Sequence, residues 1–268
     1  MKWKWLKWWQ TMIVCWSNLL VYKVNFVLQV FGPIFVFFFI KYSLWSSIFQ
    51  GNAEQRIGGY LLSEMLTYHL WAMVIALLGT SYNNSDLAEE IRMGQISAYL
   101  IYPFNLWEFQ TARFLSFQMV QLGIAILTLS LAYLGFPQLF QHLTLATFLK
   151  GISLSIMVGW FWFTIQYLIG LLGFWLEETW TFRVMLNMVT QFLSGAMIPL
   201  DLYPAWFTAF LRYTPFPYLT FVPAKIFLGQ PEAWGWAVAM LAFWIMIGAL
   251  LTTWTWKQGL RLYTAAKM

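Results

Sequence analysis

The chain has 268 residues, of which 61% are hydrophobic, 21% aromatic and only 9% charged, with a mean hydropathy of +0.65. A soluble domain carries about 25% charged and about 45–50% apolar residues, so this composition excludes a water-soluble globular protein and makes lipid the natural solvent. The net charge of +5 then reads as Lys and Arg held beside anionic headgroups rather than as a nucleic-acid footprint, and the single cysteine, Cys15, excludes an internal disulfide and a cysteine metal cluster.

At the start of the chain Lys2, Lys4 and Lys7 alternate with Trp3, Trp5, Trp8 and Trp9. Indole rings sit half buried at headgroup level while ammonium groups stay wet, so residues 1–23 are expected to form an interfacial amphipathic helix. A signal peptide is the rival, but no small-x-small cleavage pattern follows. Apolar runs then place spans at 24–40, kinked at Pro33, at 60–82 with His69 inside it, at 114–133, at 151–176, at 184–200 and at 234–256. Six of the nine prolines, Pro199, Pro204, Pro215, Pro217, Pro223 and Pro231, fall from the end of the fifth span to just before the sixth. That density forbids one straight helix, and the Trp, Phe and Leu among them argue against a free aqueous loop, so short re-entrant helices are expected there. The expected fold is an all-α integral membrane protein: a single domain over 1–268 with six transmembrane helices.

An even number of crossings puts both termini on one side. Lys2, Lys4, Lys7, Lys23, Arg92, Arg113, Arg183, Lys257, Arg261 and Lys267 fall on that side, against Lys41, Arg56, Lys150, Arg212 and Lys225 on the other. The positive-inside bias therefore places both termini, and the charged stretch from Asp86 to Arg113, in the cytoplasm, with the proline-rich segment facing outward.

Candidate chemistry is sparse. There is no G-x-x-x-x-G-K-[ST] phosphate loop and no H-E-x-x-H motif. His69 is a lone intramembrane histidine without an acidic partner in reach, which favours packing over proton relay. Ser194-Gly195 is half of an intramembrane serine protease pattern, but Phe192 stands where its first glycine would be and no histidine follows in the sixth span. Adjacent Glu177 and Glu178 point about 100° apart on a helix and read as the wet end of a long span. Asn187 and Gln191 share one face at i, i+4, and with Ser194 on the fifth span and Gln118 and Gln121 on the third they are candidates for a translocation path or for hydrogen bonds between helices. Gly151, Ser155 and Gly159 form a small-xxx-small stripe that admits a close neighbour. The spans hold no carboxylate relay, so driving energy for any transport is expected to come from another chain.

The segment EIRMGQISAYLIYP, Glu90 to Pro103, resembles the cytoplasmic loop between spans two and three in permeases of the type-2 ATP-binding-cassette exporter family. FLSGAMIPLDLYPAWFTAFLRYTPFPYLTFVPAKIFLG, Phe192 to Gly229, is similar to that family's outward segment, with its Gly-x-x-x-Pro-Leu, Pro-x-Trp and Pro-Phe landmarks. Tyr102 precedes Pro103 where related loops often carry Arg. The resemblance implies a coupling helix within 86–104, carried by Asp86, Glu89, Glu90, Ile91, Arg92, Met93, Gly94, Ile96, Leu100, Tyr102 and Pro103, that seats in a cleft of a separate ATPase. Ile91, Ile96, Leu100 and Ile101 are available for one face of it, and Glu89, Glu90 and Arg92 for another. It further implies an outward cap over 199–231 marked by Pro199, Pro204, Trp206, Pro215, Phe216, Pro223 and Gly229.

The function expected from this resemblance is that of a permease without a nucleotide-binding domain, a transport subunit rather than an enzyme. No cofactor is expected in this chain, ATP and Mg belonging to the partner ATPase. A second permease, identical or related, and membrane lipids are the other expected partners, and the bacterial cytoplasmic membrane the expected location. The rivals are an ATP-independent membrane enzyme or lipid-handling protein, which would turn over or scramble lipid alone, and a structural subunit with no path at all.

Overall fold

The computed structural model describes residues 2–21, 28, 32, 37–50, 52, 54–79, 85–101 and 105–265. Its helices are α1 Lys2–Val21, α2 Ser43–Ile48, α3 Leu62–Gly79, α4 Ser85–Arg92, α5 Ile96–Ile101, α6 Leu106–Gly135, α7 Leu145–Leu171, α8 Trp180–Leu193, α9 Ala205–Leu211, α10 Phe216–Leu219, α11 Phe221–Phe227 and α12 Trp234–Ala265. A π-helical turn, Phe37–Tyr42, precedes α2, and 3-10 turns cover Pro137–Phe140, Leu172–Phe174 and Leu200–Leu202. Among the described residues there is no strand, only an isolated bridge between Ile57 and Tyr60.

Four stretches are long and apolar enough to cross a membrane: Leu62–Gly79, Leu106–Gly135, Leu145–Phe174 and Trp234–Tyr263. They coincide with the expected second, third, fourth and sixth spans. The first expected span lies mostly outside the described residues. The fifth appears as α8, whose 14 residues rise only about 21 Å against a hydrocarbon core of about 30 Å. The third span differs at its start. α6 begins at Leu106 rather than near 114, because Glu108 sits in its first turn, where the helix dipole favours an anion, and Arg113 is neutralised by Glu90. Glu108 and Arg113, at the entry of the third span, are carried by the helix itself.

The core forms where α3 and α7 meet α11. Trp71 of α3 stacks flat on Phe227 of α11, with ring centroids 3.9 Å apart at 5°, and both are at most 1% exposed. Phe227 lies directly over Gly151, while Gly159 faces the Leu78 carbonyl, where an added Cβ would come within 3.1 Å. The small-residue stripe of α7 thus admits α11 at one point and α3 at another. Its middle member, Ser155, is fully buried and donates its hydroxyl to Gly151 O at 2.8 Å.

The proline-rich segment resolves into one 3-10 turn and three short helices. Pro204 and Pro215 are the N-cap residues of α9 and α10, and Pro217 and Pro223 fall in first turns, where a missing N–H costs no intrahelical bond. Gly229, at φ +73°, closes α11 in the left-handed conformation that favours glycine. Pro199, Pro215 and Pro223 are buried, Phe216 is half-buried, and Trp206 is 75% exposed.

His69 stacks on Trp45 at 5.5 Å and meets the edge of Tyr68 at 5.4 Å, which is the packing role expected for it.

Candidate coupling surface and polar cleft

Ser85–Arg92 and Ile96–Ile101 form two short helices rather than one, broken at Gly94, whose φ of +75° turns the chain. Leu87, Ile91 and Ile96 are buried with Leu106, Tyr167 and Leu171, against the ends of α6 and α7. Leu87 and Ala88 lie on glycines: an added Cβ at Gly170 would be 2.9 Å from Leu87 and one at Gly173 2.8 Å from the Ala88 backbone. Tyr263 of α12 donates its hydroxyl to Gly94 O at 2.8 Å. Three spanning helices therefore grip this segment at once.

Glu89, Arg92, Met93 and Gln95 are exposed and form the outer face of the segment. Glu90 departs from the expectation that groups it with Glu89. It turns inward, 3.6 Å from Arg113 of α6, and accepts a hydrogen bond from Tyr99 at 3.3 Å. Burial, and then the Glu90 carboxylate, push the Tyr99 phenol up to about 12, so it remains a donor throughout the physiological range. Arg113 also lies 5.7 Å from the centroid of the Phe109 ring. Of the other expected coupling residues, Tyr102 and Pro103 lie outside the described residues, as do the side chains of Asp86 and Leu100.

α1 runs along α6 on the same half of the molecule. The Trp16 indole donates to Ser116 O at 2.9 Å, and Met12 is buried in the contact.

At the opposite end, Lys225 of α11 sits between Asp201 at 3.1 Å and Glu232 at 3.2 Å, and Tyr60 donates to Asp201 at 2.5 Å. Burial and the Asp201 carboxylate raise the Tyr60 pKa, keeping the proton on the phenol. This cluster ties the short helices of the proline-rich segment to the start of α3 and to the start of α12.

Between these ends, α3, α7 and α8 enclose a cleft of about 340 Å³. Asn187, Gln191 and Ser194 all line it, joined by Gln166, Thr190 and Thr220 and by the indole of Trp162. Ser194, whose carbonyl accepts from Phe221 N at 3.0 Å, marks the end of α8, and Tyr68 donates to the next carbonyl, Gly195 O, at 2.7 Å. Gln118 and Gln121 are not among the lining residues: the Gln118 amide packs beside Gly159, and Gln121 is buried on α6. Sequence spacing found Asn187 and Gln191. It missed Gln166, Thr190, Thr220, Leu87, Ala88, Tyr99 and Tyr263; the i, i+4 pair Leu87–Ile91 and the Gly170-x-x-Gly173 spacing are the signals that pointed to two of these contacts.

Helices that cross a bilayer, a helical segment locked to one end of them and a polar cleft within the apolar mass define a multi-pass helical membrane protein. A family model described as ABC-2 family transporter protein matches residues 35–267, and the chain belongs to that family. It is accordingly a membrane permease component of an ATP-binding-cassette transporter. Comparison with characterised proteins gave no match.

Proposed function

We propose that the chain is the permease subunit of an ATP-driven exporter of a bacterial cytoplasmic membrane, with both termini cytoplasmic. It works beside a second permease, identical or related, and separate ATPase subunits supply the energy by binding ATP with Mg. The observation that carries this reading is the grip on 85–101. Leu87 and Ala88 sit against the end of α7, Glu90 against Arg113 of α6, and Gly94 against Tyr263 of α12. A push delivered to the exposed face of Glu89, Arg92 and Met93 reaches three spans together, because packed interfaces move as units rather than deforming continuously.

The second permease is placed against α8. Trp180, Met185, Met188 and Phe192 are each more than half exposed on that helix, beside Asn187 and Gln191. A neighbouring permease would cover these apolar groups and close the cleft into a path, with residues 199–231 as its outward cap.

The test is reconstitution. The chain is co-purified with its ATPase from native membranes, placed in proteoliposomes and assayed for movement of co-purified small molecules. Transport that requires hydrolysable ATP is expected. Lipid scrambling or turnover by the chain alone would overturn the proposal in favour of an ATP-independent lipid-handling protein.

A further inference from the structure

The proline-rich segment and the start of α12 enclose a second cavity, of about 830 Å³. That volume lies within the range of small-molecule sites, about 300–1,000 Å³. Unlike the polar cleft, it is walled by charge of both signs. Asp201 comes from the turn Leu200–Leu202, Arg212 from the end of α9 and Glu232 from just before α12. Aromatic rings, those of Tyr213, Tyr218 and Trp236 among them, line much of the remainder.

The charges on the two walls are not spent on one another. Asp201 and Glu232 both hold Lys225, at 3.1 and 3.2 Å, and Lys225 is only 14% exposed and does not line the cavity. One ammonium between two carboxylates leaves one negative charge over. Arg212 is exposed, and its guanidinium has no hydrogen bond or ion pair among the described residues. Burial raises the Tyr218 pKa, the Trp236 hydrogen bond and the Arg212 guanidinium lower it, and the Glu232 carboxylate raises it again. Both charges therefore lie within electrostatic reach of one phenol without pairing. Such a cavity is complementary to a molecule that carries both opposite charges on one short frame.

The walls are fixed by bonds of their own. Tyr218, 3% exposed, donates to the Arg212 carbonyl at 2.6 Å and accepts from the Trp236 indole at 2.8 Å. Tyr60 steadies Asp201 on the other side. With its N–H already engaged, Trp236 has its ring left to offer, and an indole face attracts an ammonium group. A planar guanidinium takes a phosphate or a carboxylate through two parallel N–H donors.

We infer that this cavity binds a zwitterion, with its ammonium between the Trp236 ring and the Asp201–Glu232 pair and its phosphate or carboxylate on Arg212. The molecule is either a small solute or the headgroup of a phospholipid. The assignment uses neither the orientation of the segment in the membrane nor the ATPase, so its failure would leave the exporter reading standing.

The full chain is placed in nanodiscs of phosphatidylglycerol, which offer no ammonium headgroup. It is then titrated calorimetrically with glycerophosphocholine, choline and glycerol phosphate. Glycerophosphocholine is expected to bind at least about tenfold more tightly than either of the other two. Arg212→Gln, at a side chain with no partner to lose, should weaken it about tenfold and leave choline unchanged. Glu232→Gln keeps the shape and removes the surplus charge, and it should weaken both glycerophosphocholine and choline severalfold. Choline or glycerol phosphate binding as tightly as glycerophosphocholine overturns the assignment. So does glycerophosphocholine binding that ignores both variants, or no binding at all. Dihexanoylphosphatidylcholine below its micelle concentration separates the two sources, and either result supports the site. Tighter, Arg212-dependent binding than that of glycerophosphocholine marks a lipid headgroup, and equal Arg212-dependent binding a soluble zwitterion.

Discussion

Tyr263 donates its phenolic hydroxyl to the carbonyl of Gly94 at 2.8 Å, across 169 residues of sequence. The last turns of α12 are thereby fastened to the turn between α4 and α5, the part of the molecule proposed to receive force from an ATPase. Tyr263→Phe removes this bond and little else. A neutral hydrogen bond contributes about 0.5–1.5 kcal/mol, so amide exchange at 93–97 should accelerate about 3–10-fold while global stability changes little. If the bond also transmits motion, ATP-dependent transport falls more than ATPase binding does, as measured side by side in proteoliposomes.

Glu89 and Glu90 are neighbours in sequence with opposite surroundings. Glu89→Lys changes only an exposed charge and should leave the melting temperature unchanged while weakening ATPase association. Glu90→Lys sets a cation beside Arg113 in a site where both side chains are less than a fifth exposed. It should lower the melting temperature by several degrees, since an uncompensated half-buried charge is among the larger destabilising changes. Thermal unfolding in detergent distinguishes the two.

The contact between Ala88 and Gly173 leaves no room for a methyl group, which would stand 2.8 Å from the Ala88 backbone. Gly173→Ala is expected to cost about 1–3 kcal/mol as an overpacked contact and to displace α4 from α7. Gly123→Ala is the control. No described residue lies within 4 Å of a Cβ at that position in α6, and alanine's better helix propensity should stabilise by up to about 1 kcal/mol. Melting curves of the two variants should shift in opposite directions.

A third glycine tests the fit of α11 against α7. A Cβ at Gly151 would overlap the Phe227 ring, which cannot retreat because it stacks on Trp71 at 3.9 Å. Gly151→Ala should therefore destabilise by about 1–3 kcal/mol, and pairing it with Phe227→Leu should recover part of that loss. Additive losses in the double variant would show that the two positions are not in contact.

Much of this organisation is legible in the chain because hydropathy is a one-dimensional signal. Four spans fall where apolar runs place them, and prolines and glycines mark the turns of the segment 199–231. Ile91 and Ile96 are legible as buried, and Asn187 and Gln191 as sharing a face, because helical periodicity is local. What escapes is whatever depends on a distant neighbour. Glu90 differs from Glu89 only through Arg113 and Tyr99, and Ala88 is buried only because Gly173 lets it approach. Gln166, an isolated amide in a long apolar span, comes to line a cleft with Thr190 and Ser194 only once α8 is in place. Gln118 and Gln121 show the converse, since α6 packs Gln121 into the interior and the Gln118 amide beside Gly159, and neither lines the cleft.

The exposed side chains of 89 and 93 offer the most direct measurement. Single cysteines at Glu89 and Met93 in a Cys15→Ser background are treated with a short bifunctional crosslinker in native membranes, with Trp206→Cys on the cap as the comparison. Crosslinks to an ATPase subunit should form from 89 and 93, change in yield during ATP hydrolysis, and be absent from 206. An ATPase crosslinked from 206, or from none of the three positions, would contradict the assignment of residues 85–101 as the coupling surface.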